Sequence, residues 1–267
     1  MRRLRSLRGF LPQRRHRSDR GAGTSERERE RWRWRWRWRE RWHRHGGLGV
    51  SETVKRAAST RHRAADSVGP ARRDARLLIV GVGGQGVISL ARLVGRAALE
   101  AGGEGRVGQL HGMSQRGGSV EATVVFGAGR TGFVSRGEAD VLLALEPLEA
   151  ARAAPRLAPG CLAWIERNPI AVPGVPAGPA EAELLAPVRA VTDRICRIDA
   201  RAGARAAGAE RSVNLVMLGA LAVCGALPVG EDALRGVVAA ARPAALAAFD
   251  EGRRLGAAAL AARRGGG

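Results

Sequence analysis

Two glycine-rich segments hold the residues of this chain whose types and spacing could do chemistry. The first glycine segment is Gly81-Val82-Gly83-Gly84-Gln85-Gly86-Val87, and the second is His111-Gly112-Met113-Ser114-Gln115-Arg116-Gly117-Gly118-Ser119-Val120. The spacing Gly81-x-Gly83-x-x-Gly86 is that of a dinucleotide-binding turn, in which glycines allow a tight bend and the next helix offers unpaired N–H groups to phosphate. In the second segment, His111 can titrate near neutral pH, and Arg116 can bind a carboxylate or phosphate.

A nicotinamide site also needs an acidic residue where the second strand ends, because that carboxylate holds the ribose hydroxyls. Here that position falls near Gln109, Leu110 and His111, whereas Glu100 and Glu104 precede the strand and lie at its wrong end. We therefore expect the first glycine segment to make a tight strand-to-helix turn, with NAD binding as the alternative. The residues of this turn are Gly81, Gly83, Gly84, Gln85 and Gly86.

The second glycine segment is the stronger candidate for a site. It follows a predicted strand that we expect to be parallel, and open α/β sheets bind ligands where such strands end. The alternative is that His111 and Arg116 only pin the loop to its own backbone. Polar residues this dense among glycines favour a site or an interface with a neighbouring chain. The candidate residues are His111, Ser114, Gln115 and Arg116.

Strands alternate with helices along the part of the chain that contains both segments. The apolar run 77–80 predicts a buried strand, and residues 87–98 then have helical spacing. Further strands are predicted at 107–110, 120–126, 141–145, 161–165 and 195–198, further helices at 147–156, 213–224, 231–241 and 244–263, and a long surface connection at 168–187. This order predicts a Rossmann-like α/β domain: a mostly parallel sheet, helices on both faces and a helical C-terminus.

The positive charge of the chain is concentrated at its amino end. The chain has 267 residues and a net charge of +20, of which residues 1–76 carry +16. Residues 1–75 also hold five of the six tryptophans, four of them in a low-complexity Arg/Trp alternation. We predict a disordered tail over 1–75 and one domain over 76–267. A nucleic-acid-binding arm is the alternative, but a simple-repeat extension is the favoured interpretation, so nucleic acid is not the expected partner.

Targeting signals and metal motifs are missing from the sequence. The first twenty residues lack the apolar stretch of a secretory signal, and no apolar run is long enough for a membrane span, so we expect a cytoplasmic protein without a membrane partner. Cys161, Cys196 and Cys224 are far apart and form no CxxC pair. They predict buried thiols and no metal site, so any iron–sulfur centre would lie on another chain.

Four stretches together resemble the gamma-type domain of 2-oxoacid:ferredoxin oxidoreductases, with the strongest likeness to the beta subunit of the indolepyruvate enzymes. They are the two glycine segments, the run Ala139-Asp140-Val141-Leu142-Leu143-Ala144-Leu145-Glu146-Pro147-Leu148-Glu149-Ala150, and the run Val213-Asn214-Leu215-Val216-Met217-Leu218-Gly219-Ala220-Leu221. The second glycine segment is the most specific of the four. The resemblance spans residues 76–255 and leaves the tail unmatched.

The resemblance implies oxidative decarboxylation of an aryl 2-oxoacid, capture of the acyl group by coenzyme A, and transfer of electrons to ferredoxin. It places thiamine diphosphate and the iron–sulfur clusters in a large alpha subunit, so this chain would bind no cofactor alone and would be inactive alone. It also places His111, Ser114, Gln115 and Arg116 near that partner or coenzyme A, with Arg116 facing an anionic group. The alternatives are a free-standing nucleotide-binding Rossmann oxidoreductase and a nucleic-acid-binding protein that acts through the tail.

Overall fold

The computed structural model describes residues 74–111, 118–127, 131–170 and 180–265. The predicted tail lies outside this part of the chain, apart from its last two residues. The described residues contain one sheet of six strands. The strands are β1 Ala75–Val82, β2 Gly105–His111, β3 Ser119–Phe126, β4 Ala139–Ala144, β5 Leu157–Glu166 and β6 Ile195–Ile198.

Seven α-helices are found among the same residues, and none of them is both long and apolar enough to cross a membrane. The helices are α1 Val87–Glu100, α2 Pro147–Ala153, α3 Glu181–Arg189, α4 Ala200–Ala206, α5 Val213–Ala222, α6 Glu231–Ala241 and α7 Leu246–Gly265. Short 3-10 turns at Ala154–Arg156, Glu210–Ser212 and Pro243–Ala245 precede β5, α5 and α7 respectively.

The strand order is β2-β3-β1-β4-β5-β6. The pairs β1–β4, β4–β5 and β5–β6 are parallel, whereas β3 is antiparallel to both β1 and β2. The predicted mostly parallel sheet is therefore confirmed. The expectation that the strand before the second glycine segment is paired in parallel is wrong. Among the described residues β2 lies at the edge of the sheet and is paired with antiparallel β3. A short connection from His111 to Ser119 favours a hairpin, since a parallel crossover needs a longer one.

Helices cover both faces of the sheet, as predicted. Alternate residues of β1 point to opposite faces: Leu77 and Ile79 join one core, and Leu78 and Val80 join the other. Helices α1, α5, α6 and α7 contribute to the first core, and α2 and α3 contribute to the second. Burial on both faces explains why β1 has a continuous apolar sequence without alternation.

Two helices depart from the sequence prediction. Helix α3 occupies part of the expected surface connection 168–187 and has Pro187 inside it. Helix α4 has the sequence Ala-Arg-Ala-Gly-Ala-Arg-Ala, which carries no apolar period, and the Asp199 side chain caps it by accepting a hydrogen bond from the Ala202 N–H (2.9 Å). Both are short, so tertiary packing, together with the Asp199 cap in α4, stabilises them more than intrinsic propensity does.

Candidate functional site

The first glycine segment and the described ends of the second, His111 and residues 118–120, lie at one edge of the sheet. Strands β1, β2, β4, β5 and β6 end there, and we call it the carboxyl edge. In the strand register Gly81 lies opposite Val120, and Val120 lies opposite His111. The Gly83 N–H also donates to the Gly118 carbonyl (2.8 Å). The first glycine segment is therefore tied by its backbone to the carboxyl end of the second.

The first glycine segment forms the tight turn that its sequence predicts. Gly84 has φ +100° and Gly86 has φ +84°, in the left-handed region that favours glycine. The Gln85 N–H closes the turn on the Val82 carbonyl (3.0 Å). A Cβ on Gly81 would lie 2.8 Å from Gln85 Oε1 and 2.9 Å from Val87 Cγ2, so only glycine fits there.

The Gln85 side chain joins the ends of two neighbouring strands. Its Oε1 accepts from the Val82 N–H (2.6 Å), and its Nε2 donates to the Leu145 carbonyl just after β4 (2.9 Å). Doubly wound folds bind dinucleotides in the crevice beside such strand ends, and here the Gln85 side chain bridges the ends of β1 and β4. On the other side of β1 lies antiparallel β3, so no second parallel strand supplies a ribose-binding acid. The geometry therefore disfavours the NAD alternative.

Only part of the second glycine segment belongs to the described residues. His111 is the last residue of β2, and its backbone pairs with Val120. The other three candidates, Ser114, Gln115 and Arg116, lie outside the described residues. Their predicted role at a ligand or an interface stays a prediction.

The carboxyl end of the second glycine segment is held by a buried carboxylate that sequence reasoning did not single out. The Ser119 hydroxyl donates to Glu149 Oε2 (2.6 Å), and the Arg152 guanidinium donates to Glu149 Oε1 (2.6 Å). Glu149 is 3% exposed and lies on α2, in the run after β4 that shares the family resemblance. A buried carboxylate with both a hydroxyl and a guanidinium donor is strongly fixed in position.

Asn214 is a second residue that sequence reasoning left without a role. It lies in the first turn of α5 and is 7% exposed. Its Oδ1 accepts from the Leu215 N–H (3.0 Å), which directs its Nδ2 toward Gly86 at the start of α1. That nitrogen is 2.4 Å from the place where a Cβ on Gly86 would be. A buried amide in an otherwise apolar helix was the available sequence signal.

The three cysteines are free thiols, and the predicted burial holds fully for two of them. Cys161 and Cys196 are buried, and Cys224 is half-buried. Burial raises the pKa of the Cys161 and Cys196 thiols, and it raises the pKa of Cys224 to about 11. Across the described ranges, no group of three or more His, Cys, Asp or Glu side chains could hold a metal ion.

Residues 76–255 match the family described as pyruvate ferredoxin/flavodoxin oxidoreductase. That span includes both glycine segments, α2 and Asn214. The chain belongs to this family. Among individual family members, the indolepyruvate oxidoreductase subunit IorB of Archaeoglobus fulgidus is 38% identical over 167 residues, which are 60% of this chain and 83% of that relative.

Two solved structures share the fold. The gamma subunit of a keto/oxoacid ferredoxin oxidoreductase from Geobacter sulfurreducens PCA has a TM-score of 0.52 and 22% identity, with 69% of this chain and 99% of that chain covered. The 2-oxoglutarate:ferredoxin oxidoreductase from Magnetococcus marinus, with 2-oxoglutarate, coenzyme A and succinyl-CoA bound, has a TM-score of 0.53 and 22% identity. The match covers 70% of this chain but 32% of that longer chain. These likenesses confirm the family's Rossmann-like fold.

Proposed function

We propose that this chain is the gamma-type subunit of a 2-oxoacid:ferredoxin oxidoreductase whose substrate is an arylpyruvate such as indolepyruvate. The observation that carries the proposal is the 38% identity with the Archaeoglobus fulgidus indolepyruvate oxidoreductase subunit over 83% of its length. In the proposed reaction the oxoacid loses carbon dioxide, coenzyme A takes the acyl group as a thioester, and the released electrons reduce ferredoxin.

Thiamine diphosphate and the iron–sulfur clusters are proposed to lie in a large alpha subunit. Iron–sulfur clusters are held by cysteine thiolates, normally four of them, whereas the whole chain has three cysteines. Burial raises the pKa of all three thiols and so favours the protonated form, which does not ligate metal. The residues of this chain therefore do not fit a cluster, and a partner must supply it.

The second glycine segment is the proposed contact with that partner or with coenzyme A. Three features of the described residues support this role: β2 ends and β3 begins at the carboxyl edge, the Gly83 N–H is bonded to Gly118, and Glu149 holds Ser119. The segment thus joins two strands whose ends are fixed. Among its residues, Arg116 is the proposed ligand of an anionic group, and His111, Ser114 and Gln115 are proposed to lie beside it.

The proposal is tested by co-expressing this chain with a candidate thiamine diphosphate-binding subunit and measuring ferredoxin reduction with indolepyruvate, phenylpyruvate and pyruvate. We expect a stable complex, coenzyme A-dependent activity highest with an arylpyruvate, and no activity from either chain alone. Full activity of this chain without a partner would overturn the proposed subunit role.

Two variants of this chain refine the same assay. Arg116→Ala is expected to assemble normally and to lose activity, and full activity with every substrate would remove the proposed role of the second glycine segment. A chain that lacks residues 1–70 is expected to assemble and turn over like the full chain, because we propose that residues 1–75 are separable from the domain 76–267. Loss of assembly after this deletion would contradict the proposed domain division.

A further inference from the structure

Ser119 has an exposed side chain at the carboxyl edge. It is the first residue of β3, and in the strand register it lies opposite Val82. One residue earlier, the Gly118 carbonyl accepts from the Gly83 N–H (2.8 Å). The Ser119 hydroxyl therefore stands on a backbone that is fixed by the sheet and by the turn of the first glycine segment, and it is accessible to another molecule.

The direction of the Ser119 hydroxyl is set by a carboxylate. A hydroxyl has one proton to donate and two lone pairs that accept. Glu149 Oε2 accepts the hydrogen bond from that proton (2.6 Å), and Glu149 Oε1 is paired with the Arg152 guanidinium (2.6 Å). Because an ionised carboxylate can only accept, the lone pairs of the Ser119 oxygen are the groups left for another molecule. A charged acceptor also polarises the hydroxyl and makes its oxygen a stronger acceptor.

The burial of Glu149 indicates a role beyond folding. Glu149 is 3% exposed, and the Arg152 side chain is 22% exposed. The attraction between the charges of a buried ion pair is largely offset by the cost of removing them from water, so the pair contributes little to stability. Glu149 does provide a fixed acceptor for Ser119, because α2 begins soon after β4 and the Glu146 side chain accepts from the Glu149 N–H.

We propose that the Ser119 oxygen accepts a hydrogen bond from an N–H group of the large alpha subunit, and that Glu149 is the positioning residue that keeps the hydroxyl turned for this contact. Protein backbones present N–H donors, whereas phosphate groups of coenzyme A are acceptors themselves and gain nothing from an oxygen lone pair. Gly118 has no side chain, which lets a partner's backbone come close to Ser119. The inference rests on the proposed function, because it assigns one atom of this chain to the proposed contact with the partner.

Titration calorimetry of the full chain against the large subunit tests the direction of the hydroxyl with Glu149→Gln. Arg152 continues to donate to the amide oxygen at position 149, so the amide nitrogen faces Ser119 and becomes the donor. The Ser119 proton then turns outward against the N–H group of the partner. We expect a Kd at least about tenfold weaker than that of the wild type. An unchanged Kd would overturn the inference.

Variants of Ser119 separate this role from a purely structural one. Ser119→Ala removes the acceptor and should weaken the Kd by about fivefold or more, whereas Ser119→Thr keeps the hydroxyl and should bind within about twofold of the wild type. Because Glu149 acts through Ser119, adding Glu149→Gln to Ser119→Ala should weaken binding no further. Additive losses, or Ser119→Thr as weak as Ser119→Ala, would contradict the inference. Ser119 is exposed, so its two single variants test the contact even if Glu149→Gln does not fold.

Glu251→Gln is the matched control for a change from carboxylate to amide. Glu251 pairs with Arg254 at the same spacing of three residues (2.7 Å), but on α7, which packs on the other core. We expect this control to bind the large subunit like the wild type, and a Kd weakened as much as in Glu149→Gln would overturn the inference.

The same variants show whether this inference or the proposed function fails. A raised KM for coenzyme A in Glu149→Gln, with an unchanged Kd for the large subunit, would place the donor on the coenzyme and overturn the assigned partner. If the wild type assembles and turns over an arylpyruvate while Glu149→Gln and Ser119→Ala bind equally well, only this inference fails. If the wild type binds no large subunit, the proposed function fails with it.

Discussion

The carboxyl edge of the sheet is built differently at its two ends. At the carboxylate end, where β4 and β5 finish, acidic side chains accept from the helix starts: Glu146 Oε2 from the Glu149 N–H (3.0 Å) and Glu166 Oε2 from the Ala200 N–H (2.8 Å). At the glycine end, formed by β1, the β2–β3 hairpin and the starts of α1 and α5, backbone contacts and the Gln85 side chain hold the chain together.

This difference separates an end whose helix starts are capped by carboxylates from an end that is built mainly on backbone contacts. Where the protein supplies its own acceptors, no ligand is needed to complete the helix starts. The glycine end instead uses glycines to let backbones and the Asn214 amide approach closely, and among the described residues no side chain caps the start of α1. The glycine end therefore depends on the geometry of its turn more than on side-chain packing. Single substitutions in the turn of the first glycine segment are the strongest test of the difference between the two ends.

The largest expected effect comes from Gly86→Ala. Its backbone has φ +84°, and a Cβ would lie 2.4 Å from the buried Asn214 Nδ2. Strain and overlap together are expected to lower the free energy of unfolding by about 3 kcal/mol. The matched control is Gly84→Ala, where φ is +100° but nothing lies within 4 Å of the Cβ, so only the strain of about 1 kcal/mol remains. Urea unfolding measures both, and equal losses would show that Asn214 does not crowd the turn.

An intermediate effect is expected from Gln85→Leu. The change leaves the Val82 N–H and the Leu145 carbonyl without the partner that joins β1 to β4, and it is expected to cost about 2 kcal/mol. The control is Gln109→Leu on β2, because the half-buried Gln109 side chain makes no hydrogen bond within the described part of the chain. That control should change stability by less than about 0.5 kcal/mol. If the two variants unfold at the same urea concentration, Gln85 is not the link that holds the glycine end.

The elements of both ends could be predicted from local sequence. The strand at β1 follows from its continuous apolar run, the turn from glycine spacing, and α1 from apolar residues at intervals of three and four. The prediction also reached α5, α6 and α7, although α5 is buried on nearly all sides and so has no single apolar face. The patterns of β1, the turn and α1 are local, so they can be recognised without knowledge of distant residues.

The arrangement of those elements could not be predicted in the same way. Periodicity identifies β2 and β3 as strands but does not state that β3 lies between β2 and β1, since pairing depends on distant contacts. The same limit applies to Asn214 and Glu149, whose partners Gly86 and Ser119 are far away in sequence. Helix α4 was missed because its Ala/Arg/Gly sequence has no apolar face to detect.

The smallest expected effect is a pH dependence at the carboxylate end. Glu166 is buried, with a side chain that accepts from the Ala200 N–H and the Asn168 N–H. Burial raises the pKa of Glu166 above its usual range, and the two backbone hydrogen bonds oppose that rise only in part. The folded state therefore keeps this proton to a higher pH than the unfolded chain does.

A raised folded-state pKa fixes the sign of the stability change. The contribution of Glu166 is fully present below the pKa of the unfolded chain, at about pH 4, and is lost as pH rises through the folded-state pKa. The Glu166→Gln variant has no carboxyl that can ionise at this position. Its free energy of unfolding should therefore not fall in this way as pH rises, even if it is lower than that of the wild type at any one pH. Urea midpoints measured from about pH 4 upward compare the two slopes. Parallel curves would mean that the Glu166 carboxyl stays ionised when it is buried.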